Sequence, residues 1–440
     1  MSVTLEPLTG IVTTDLSAVA RGRFIAADRL EKTAATGIGW LQANISLTAF
    51  NSIAVPNPWG SSGDLRILPD TGARYRTANT GSEVPFDMVF GNIVELDGRP
   101  WPLCSRSILA SALADLEAET GLKLVAAFEQ EFQLLDSGLP PEHVLSFAGL
   151  RRAGGFPAQM MAALKEAGVA PEVIIAEFGV DQFEVTCAPS PAIEAADRAV
   201  AIREITREIA RNRGWRASFA PKTEPNAVGN GVHIHFSLVD AGGRQATYDG
   251  AAPHGLSAQA GAFCAGVLRH LPAITALTAS SPPSYYRLKP HHWSSSYTWL
   301  GAQDREATLR ICPVTTIGGK DPAGQYNIEY RAADGTANPY LALAAIVRAG
   351  IEGLKAKLPT PPVFSGDPDL LSEAERGEWG LRRLPQTLEA ALDAFTADTT
   401  VTGWFDPLLI ESFVGIKREE LKLVDGKTEA EICDLYRSVY

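Results

Sequence analysis

Two short runs restrict this chain more than anything else in it. They are Phe128-Glu129-Gln130-Glu131-Phe132 and Gly231-Val232-His233-Ile234-His235-Phe236-Ser237, each with a titratable side chain at every second position. Alternate side chains of a β-strand share one face, so each run projects a pair of such groups to the same side. Two carboxylates held that way repel each other unless a cation or a basic group lies between them. Glu177 and Glu184 fall between the two runs, ahead of an amphipathic stretch that ends at Gly214. Carboxylates are hard oxygen donors suited to Mg²⁺ or Mn²⁺, and imidazole also suits Mn²⁺. The pieces read as walls of one metal site. The competing reading is a solvated strand face. The apolar flanks, Leu124 to Phe128 and Phe132, count against it.

At 440 residues the chain exceeds what one core organises. We divide it into residues 1–100 and 101–440. Apolar residues make up 45% and charged residues 20%, which excludes wholesale disorder. A net charge of −12 argues against nucleic acid and anionic membranes as partners. The five cysteines, Cys104, Cys187, Cys264, Cys312 and Cys433, are scattered and odd in number, which fits a reducing cytoplasm. Glu6 and Asp15 interrupt any signal-peptide pattern. Residues 33 to 63 carry no charge but are rich in Gly, Asn, Ser, Thr and Pro, and no transmembrane span follows from that.

In chain order, residues 1–100 read as short strands, one modest helix and loops, with a brief alternation over 64–70 and a turn at Asp97-Gly98. Helices are expected over 105–120, 156–167, 191–214, 256–277 and from Asn338 to Gly350. Strands are expected over 123–135, over 173–188 in two pieces about Gly179, and over 217–219, 232–239, 307–312 and 327–332. Residues 285–300 read as a loop rich in His, Trp, Tyr and Ser, and the last ninety residues as mostly helical.

These motifs, in this order, resemble glutamine synthetase, the ATP-dependent glutamate–ammonia ligase. The resemblance rests on Glu129-x-Glu131, Glu177 and Glu184, Pro221-Lys222, Gly231-x-His233-x-His235-x-Ser237, Ser284 to Leu288, Arg305 to Arg310, Glu329-x-Arg331-x-x-Asp334 and Asn338 to Leu341, over roughly residues 60 to 430. It implies an α+β fold: a small N-terminal β-grasp-like domain and a large catalytic domain whose curved antiparallel sheet carries the ligands. One divalent ion would sit on Glu131, Glu177 and Glu184, the second on Glu129, His233 and Glu329. Arg287 and Arg331 would grip the glutamate carboxylate, with Gly229 nearby. Arg305 would face the transferred phosphoryl group, with Glu329 and Arg287 also at the reaction centre. His235, Ser237, Arg310 and Lys222 would contact ATP. The family assembles as homo-oligomeric rings, usually dodecamers of two hexameric rings, in which a neighbour's N-terminal domain completes each site.

The departures shape the functional expectation. Asn51 stands where the family presents an ammonium-binding Asp. The flap over the site, Pro290-His291-His292-Trp293-Ser294-Ser295-Ser296, lacks the family's carboxylate. The family's Asn-Gly-Ser-Gly loop is here Val228-Gly229-Asn230-Gly231, and Asn327 replaces an Arg near ATP. His292 could serve as a base for an incoming amine or pack beside Trp293. The expectation is a ligase that phosphorylates the γ-carboxylate of glutamate and couples it to an organic amine. A true glutamine synthetase and a non-catalytic ring protein remain as alternatives.

Overall fold

The computed structural model describes residues 4–440. Its strands form two separate sheets. The first contains β1 (Leu8–Thr14), β2 (Ala20–Ala26), β3 (Ile38–Leu41), β4 (Asp64–Thr77) and β5 (Phe86–Val94), in the order β2-β1-β5-β4-β3. β1 runs antiparallel to β2 and parallel to β5, a β-grasp-like arrangement. β4 does not turn at Asp70. It shifts register between Pro69 and Arg74 and continues to Thr77. A bulge keeps a strand going past a residue that has no N–H to donate.

The second sheet contains β6 (Leu122–Leu135), β7 (Pro171–Ala176), β8 (Gln182–Cys187), β9 (Ser190–Pro191), β10 (Arg216–Ser218), β11 (Val232–Asp240), β12 (Leu300–Ala302), β13 (Leu309–Ile311) and β14 (Ile328–Tyr330). Its main path is β12-β13-β14-β11-β6-β8-β7, with β9 and β10 also paired to β6. Every pairing is antiparallel except β12–β13, which is parallel. β6 is its spine. Its even-numbered residues from Leu122 to Leu134 are buried, while its odd-numbered ones are half-buried or exposed and line the site. Phe132 belongs to the even set and packs with Phe156, Phe183 and Phe219.

Helices cover the even face. Ala192–Arg211 lies against β6, and Ala258–Thr278 packs on Pro339–Lys355. Asn338 caps the latter, its side-chain oxygen accepting from the N–H groups of Tyr340 and Leu341. The two long helices approach so closely that a Cβ on Gly266 would fall 2.1 Å from the Ala349 carbonyl oxygen. Ala258–Thr278 is long and apolar enough to cross a membrane (mean hydropathy 1.3), yet 78% of that stretch is buried inside the fold. One expected loop begins as a helix: Pro282–Arg287 carries Tyr285 and Arg287. Its two prolines occupy the first turn, where no N–H is required, and Ser281 and Ser284 cap it reciprocally.

Mostly buried polar contacts tie the first sheet and its loops to the helices of the rest of the chain. Arg106 pairs with Asp197 at 2.9 Å and with Asp70 at 2.8 Å, and the Tyr340 hydroxyl donates to Asp197 at 2.6 Å. Further along the chain, Glu420 accepts from the Ser17 hydroxyl and the Ala49 N–H while pairing with Lys417 at 3.0 Å. Lys417 and Glu420 are both fully buried.

Candidate active site

Strand register builds the site. Glu184 of β8 stands opposite Glu131 of β6, and Glu129 of β6 opposite His233 of β11. His235 of β11 stands opposite Glu329 of β14, which in turn faces Arg310 of β13. The donors thus step diagonally across the sheet. Glu129, Glu131, Glu184 and His233 bring one donor atom each within 4.8 Å of one another, and so do Glu129, His235 and Glu329. His233 Nδ1 lies 2.7 Å from Glu129 Oε1 and 3.5 Å from Glu329 Oε1. Glu177 falls in neither set. It follows β7, and its carboxylate accepts from the Phe178 N–H at 3.1 Å. His235, expected at the nucleotide, also reaches Glu129 at 3.6 Å.

This much negative charge is costly where it stands. Burial pushes the Glu131 carboxyl up to about 7, with Glu129 and Glu177 adding to the push. Glu184 rises far above the usual carboxylate range through burial and the neighbouring Glu129, Glu131 and Glu177. Glu329 goes the other way. Burial opposes its ionisation, but His233 and Arg331 outweigh it and bring it to about 2. Hard oxygens converging at that cost, with imidazole among them, are the donor chemistry of a divalent-cation site. The residues fit such ions. Gln182, two residues before Glu184 and nearly fully buried, was not anticipated. Its amide nitrogen donates to the Gly229 carbonyl and to Asn230 Oδ1, each at 2.8 Å, and lies 3.5 Å from Glu131 Oε2. The same period of two that marks Glu-x-Glu marks Gln182-x-Glu184.

The two arginines expected to hold the acid differ. Arg287 is 4% exposed; its Nη2 donates to the Arg331 carbonyl at 2.9 Å, while Nη1 has no partner among the described residues. Gly229 and Gly231 make room for it, since a Cβ on either would come within 2.8 Å of the Arg287 side chain. Arg331 is engaged on every nitrogen. Nη1 pairs with Glu329, Nε donates to the Arg305 carbonyl at 3.0 Å, and Nη2 donates to the Trp293 carbonyl at 3.1 Å. Arg305 is exposed, and its charge acts on Glu177. Lys222 is buried with its amine on the Ala227 carbonyl, and burial followed by Arg287 and Lys289 lowers it to about 8.

A cavity of about 810 Å³ opens from the donor row, lined by Val125, Ala127, Glu129, His235, Ser237 and Asn327 among others. That volume suits a nucleotide. Lys222 is not part of its lining. Ser237 donates to the Tyr326 carbonyl at 2.9 Å, His235 Nδ1 lies 2.9 Å from Asn327 Oδ1, and Arg310 pairs with Glu329 at 2.8 Å. Cys312 Sγ sits 3.7 Å from both His235 Nδ1 and Glu329 Oε2.

The flap adjoins Arg331, whose Nη2 holds the Trp293 carbonyl. The indole of exposed Trp293 meets Phe178 edge to face, ring centroids 5.5 Å apart. His292 is exposed, its Nδ1 on the Pro290 carbonyl. Asn51 lies on an exposed turn of the first sheet's domain with φ 62°, and its side-chain oxygen accepts from Arg21 at 3.4 Å. Among the described residues, no hydrogen bond or ion pair joins Asn51 or His292 to the donor row.

A row of hard donors with arginines on one flank and a nucleotide-sized cavity on the other defines an enzyme of metal-dependent phosphoryl transfer. Residues 102–436 match the family profile "Glutamine synthetase, catalytic domain", and residues 3–101 match "Glutamine synthetase N-terminal domain". A gamma-glutamylpolyamine synthetase of Streptomyces coelicolor is 33% identical over 435 residues, covering 97% of this chain and 92% of the relative. A glutamine synthetase of Pyrococcus furiosus is 31% identical over 402 residues, covering 89% and 85%. A crystal structure of a novel glutamine synthase homolog superposes with a TM-score of 0.91 at 42% identity, each chain covered in full. A GmaS–ADP complex superposes with a TM-score of 0.80 at 25% identity, covering 96% and 95%. The chain belongs to the glutamine synthetase family. It is an ATP-dependent ligase that makes amides at the γ-carboxylate of glutamate and works with divalent metal ions.

Proposed function

We propose that this ligase prefers an organic amine to ammonium. The flap carries the proposal: residues 290–296 hold no carboxylate and instead present Trp293 against Phe178. A charge pair at about 4 Å is worth roughly 4 kcal/mol at an effective dielectric near 20. Capture of a small, strongly hydrated cation therefore suffers when such groups are lost at both Asn51 and the flap. An aromatic edge suits a larger, less hydrated amine. The gamma-glutamylpolyamine synthetase among the relatives supports the same reading.

In this reading Glu131 and Glu184 would hold one ion, with Glu177 from outside the four-donor set as its third ligand, and Glu129, His233 and Glu329 would hold the second, as Mg²⁺ or Mn²⁺. Bound there, the ions spread the charge of the transferred phosphoryl group. Arg287, with its free Nη1, takes the glutamate carboxylate beside Gly229. Arg331 holds Glu329 and the flap in place, and Arg305 faces the phosphoryl group from the rim. His235, Ser237 and Arg310 border the nucleotide. Lys222 holds the Ala227 carbonyl and stands outside the nucleotide cavity. A γ-carboxylate oxygen attacks the terminal phosphorus and ADP leaves. The amine nitrogen then attacks the acyl carbon, phosphate leaves, and the nitrogen gives up a proton. His292 and a neighbouring subunit's Asn51 stand at the amine entrance. The enzyme is a cytoplasmic homo-oligomer, a dodecamer of two hexameric rings.

True glutamine synthetase activity is the second reading, favoured by the Pyrococcus relative and by half-buried Glu306 near the flap. Phosphate release from ATP with saturating glutamate separates the two. At least one of isopropylamine, aniline and putrescine should exceed ammonium in kcat/KM. A preference for ammonium of about tenfold, roughly 1.4 kcal/mol, overturns the proposal.

A further inference from the structure

The flap is not a free loop. His291 and Trp293 both adopt left-handed backbone, φ 62° and 50°, a conformation that non-glycine residues hold only when their surroundings enforce it. Glu306 supplies the enforcement. Its Oε1 accepts from the Trp293 N–H at 2.6 Å and its Oε2 from the His291 N–H at 3.2 Å. One carboxylate thus closes a turn of three residues from below, with charge-assisted bonds stronger than neutral ones. Two more contacts complete the fixation. Arg331 holds the Trp293 carbonyl, and the Ser294 hydroxyl donates to the Arg287 carbonyl at 2.6 Å. The turn's other end is tied outward, with His291 Nε2 2.9 Å from Asp367. Held this way, Trp293 is left 59% exposed, its ring edge against Phe178. Phe178 directly follows Glu177, so the aromatic pair joins the flap to the segment just after β7.

We propose that Glu306 is a specificity-determining positioning residue: it clamps the His291–Trp293 turn so that Trp293 and Phe178 form a fixed aromatic wall against which the organic part of the amine packs. The inference rests on the organic-amine reading above. It adds that a carboxylate next to the amine entrance does not itself bind the amine. Both its oxygens accept backbone N–H groups, and the selection it exerts runs through the indole.

The test uses the full-length assembled enzyme and the variants Glu306→Ala, Glu306→Gln and Trp293→Ala. Hydrogen exchange of the 290–296 amides, read by mass spectrometry without substrates, should quicken by about tenfold or more in Glu306→Ala. It should quicken less in Glu306→Gln, which keeps one accepting oxygen. In amine kinetics, Glu306→Ala and Trp293→Ala should both lower kcat/KM for isopropylamine and benzylamine, mainly through KM, by about tenfold. The KM values for glutamate and ATP, and kcat/KM for ammonium, should stay within about threefold of wild type. Unchanged exchange at the flap overturns the clamp. A loss for ammonium as large as that for the organic amines also overturns it, because Glu306 would then be capturing charge. If the wild-type enzyme prefers ammonium, the organic-amine reading fails, and the exchange measurement still decides whether Glu306 holds the turn.

Discussion

At the scale of single residues, the donor row makes stability and metal binding depend on pH together. Glu131 is raised from its ordinary 4.5 to about 7 in the fold. A carboxyl raised by folding stabilises the native state fully below its unfolded value, and that contribution is lost as pH rises through the folded value. Without metal, the protein should therefore lose on the order of 3 kcal/mol between about pH 4.5 and pH 7 from Glu131 alone. Glu184 pushes in the same direction, while His233, lowered to about 4 by burial and Arg331, opposes both over part of the window. Thermal melts in a chelating buffer should show Tm falling over this window, and added Mg²⁺ or Mn²⁺ should restore it most at the upper end. Glu131→Ala should flatten the metal-free profile, weaken the metal response and abolish turnover. A pH profile in that variant as steep as that of the wild type would contradict the charge assignment. Arg331→Lys is a second case. Lysine has no planar fork, so it cannot serve Glu329, the Arg305 carbonyl and the Trp293 carbonyl together. We expect kcat to fall by about two orders of magnitude, with faster amide exchange in the flap. Unchanged kinetics would mean that these bonds are dispensable.

Among elements, legibility tracked periodicity. The strands carrying Glu129, Glu131, His233 and His235 could be read directly from their alternating sequence, and the helix over 105–120 from apolar residues at helical spacing. The helix that presents Arg287 could not, because Pro282-Pro283 looks like a breaker until a capping serine precedes it. The diagonal of donors was equally hidden. It depends on which residue of β8 faces which residue of β6, and register is a property of pairs of strands. The motif resemblance brought Glu129, Glu131, Glu177, Glu184, His233 and Glu329 forward as candidate donors. That Glu177 stands apart from the four-donor set and that Arg331 is fully engaged required coordinates. Helix packing offers its own test. Gly353→Ala would place a Cβ 2.0 Å from the Ala262 carbonyl oxygen, and overpacking of this kind typically costs about 1 to 3 kcal/mol. Tm should drop by several degrees while the KM for ATP holds. A neutral substitution would show that the two helices can slide apart freely.

Across the whole molecule, Glu420 and Lys417 are the knot between the N-terminal loops and the C-terminal helix Pro407–Val424. Removing one partner of a buried pair strands the other charge, at a cost of about 3 to 5 kcal/mol. Glu420→Ala should melt earlier and expose the Ser17 and Ala49 loops to limited proteolysis. Replacing both residues with apolar ones of similar size should recover much of the loss. Equal sensitivity in the single and double variants would show that no such charge is stranded.

The diagonal row has a consequence for quality control. Its donors are drawn from residues 129 to 329 on β6, β8, β11 and β14. A slip of one residue in any of those strands turns its donors to the far side of the sheet. Only a correctly threaded subunit therefore offers the complete set. A divalent ion adds free energy to that threading and to no other, in proportion to the logarithm of its concentration over Kd. The ions that serve the reaction also inspect the sheet, so cellular supply of divalent metal decides how sharply misassembled chains are told apart from finished ones.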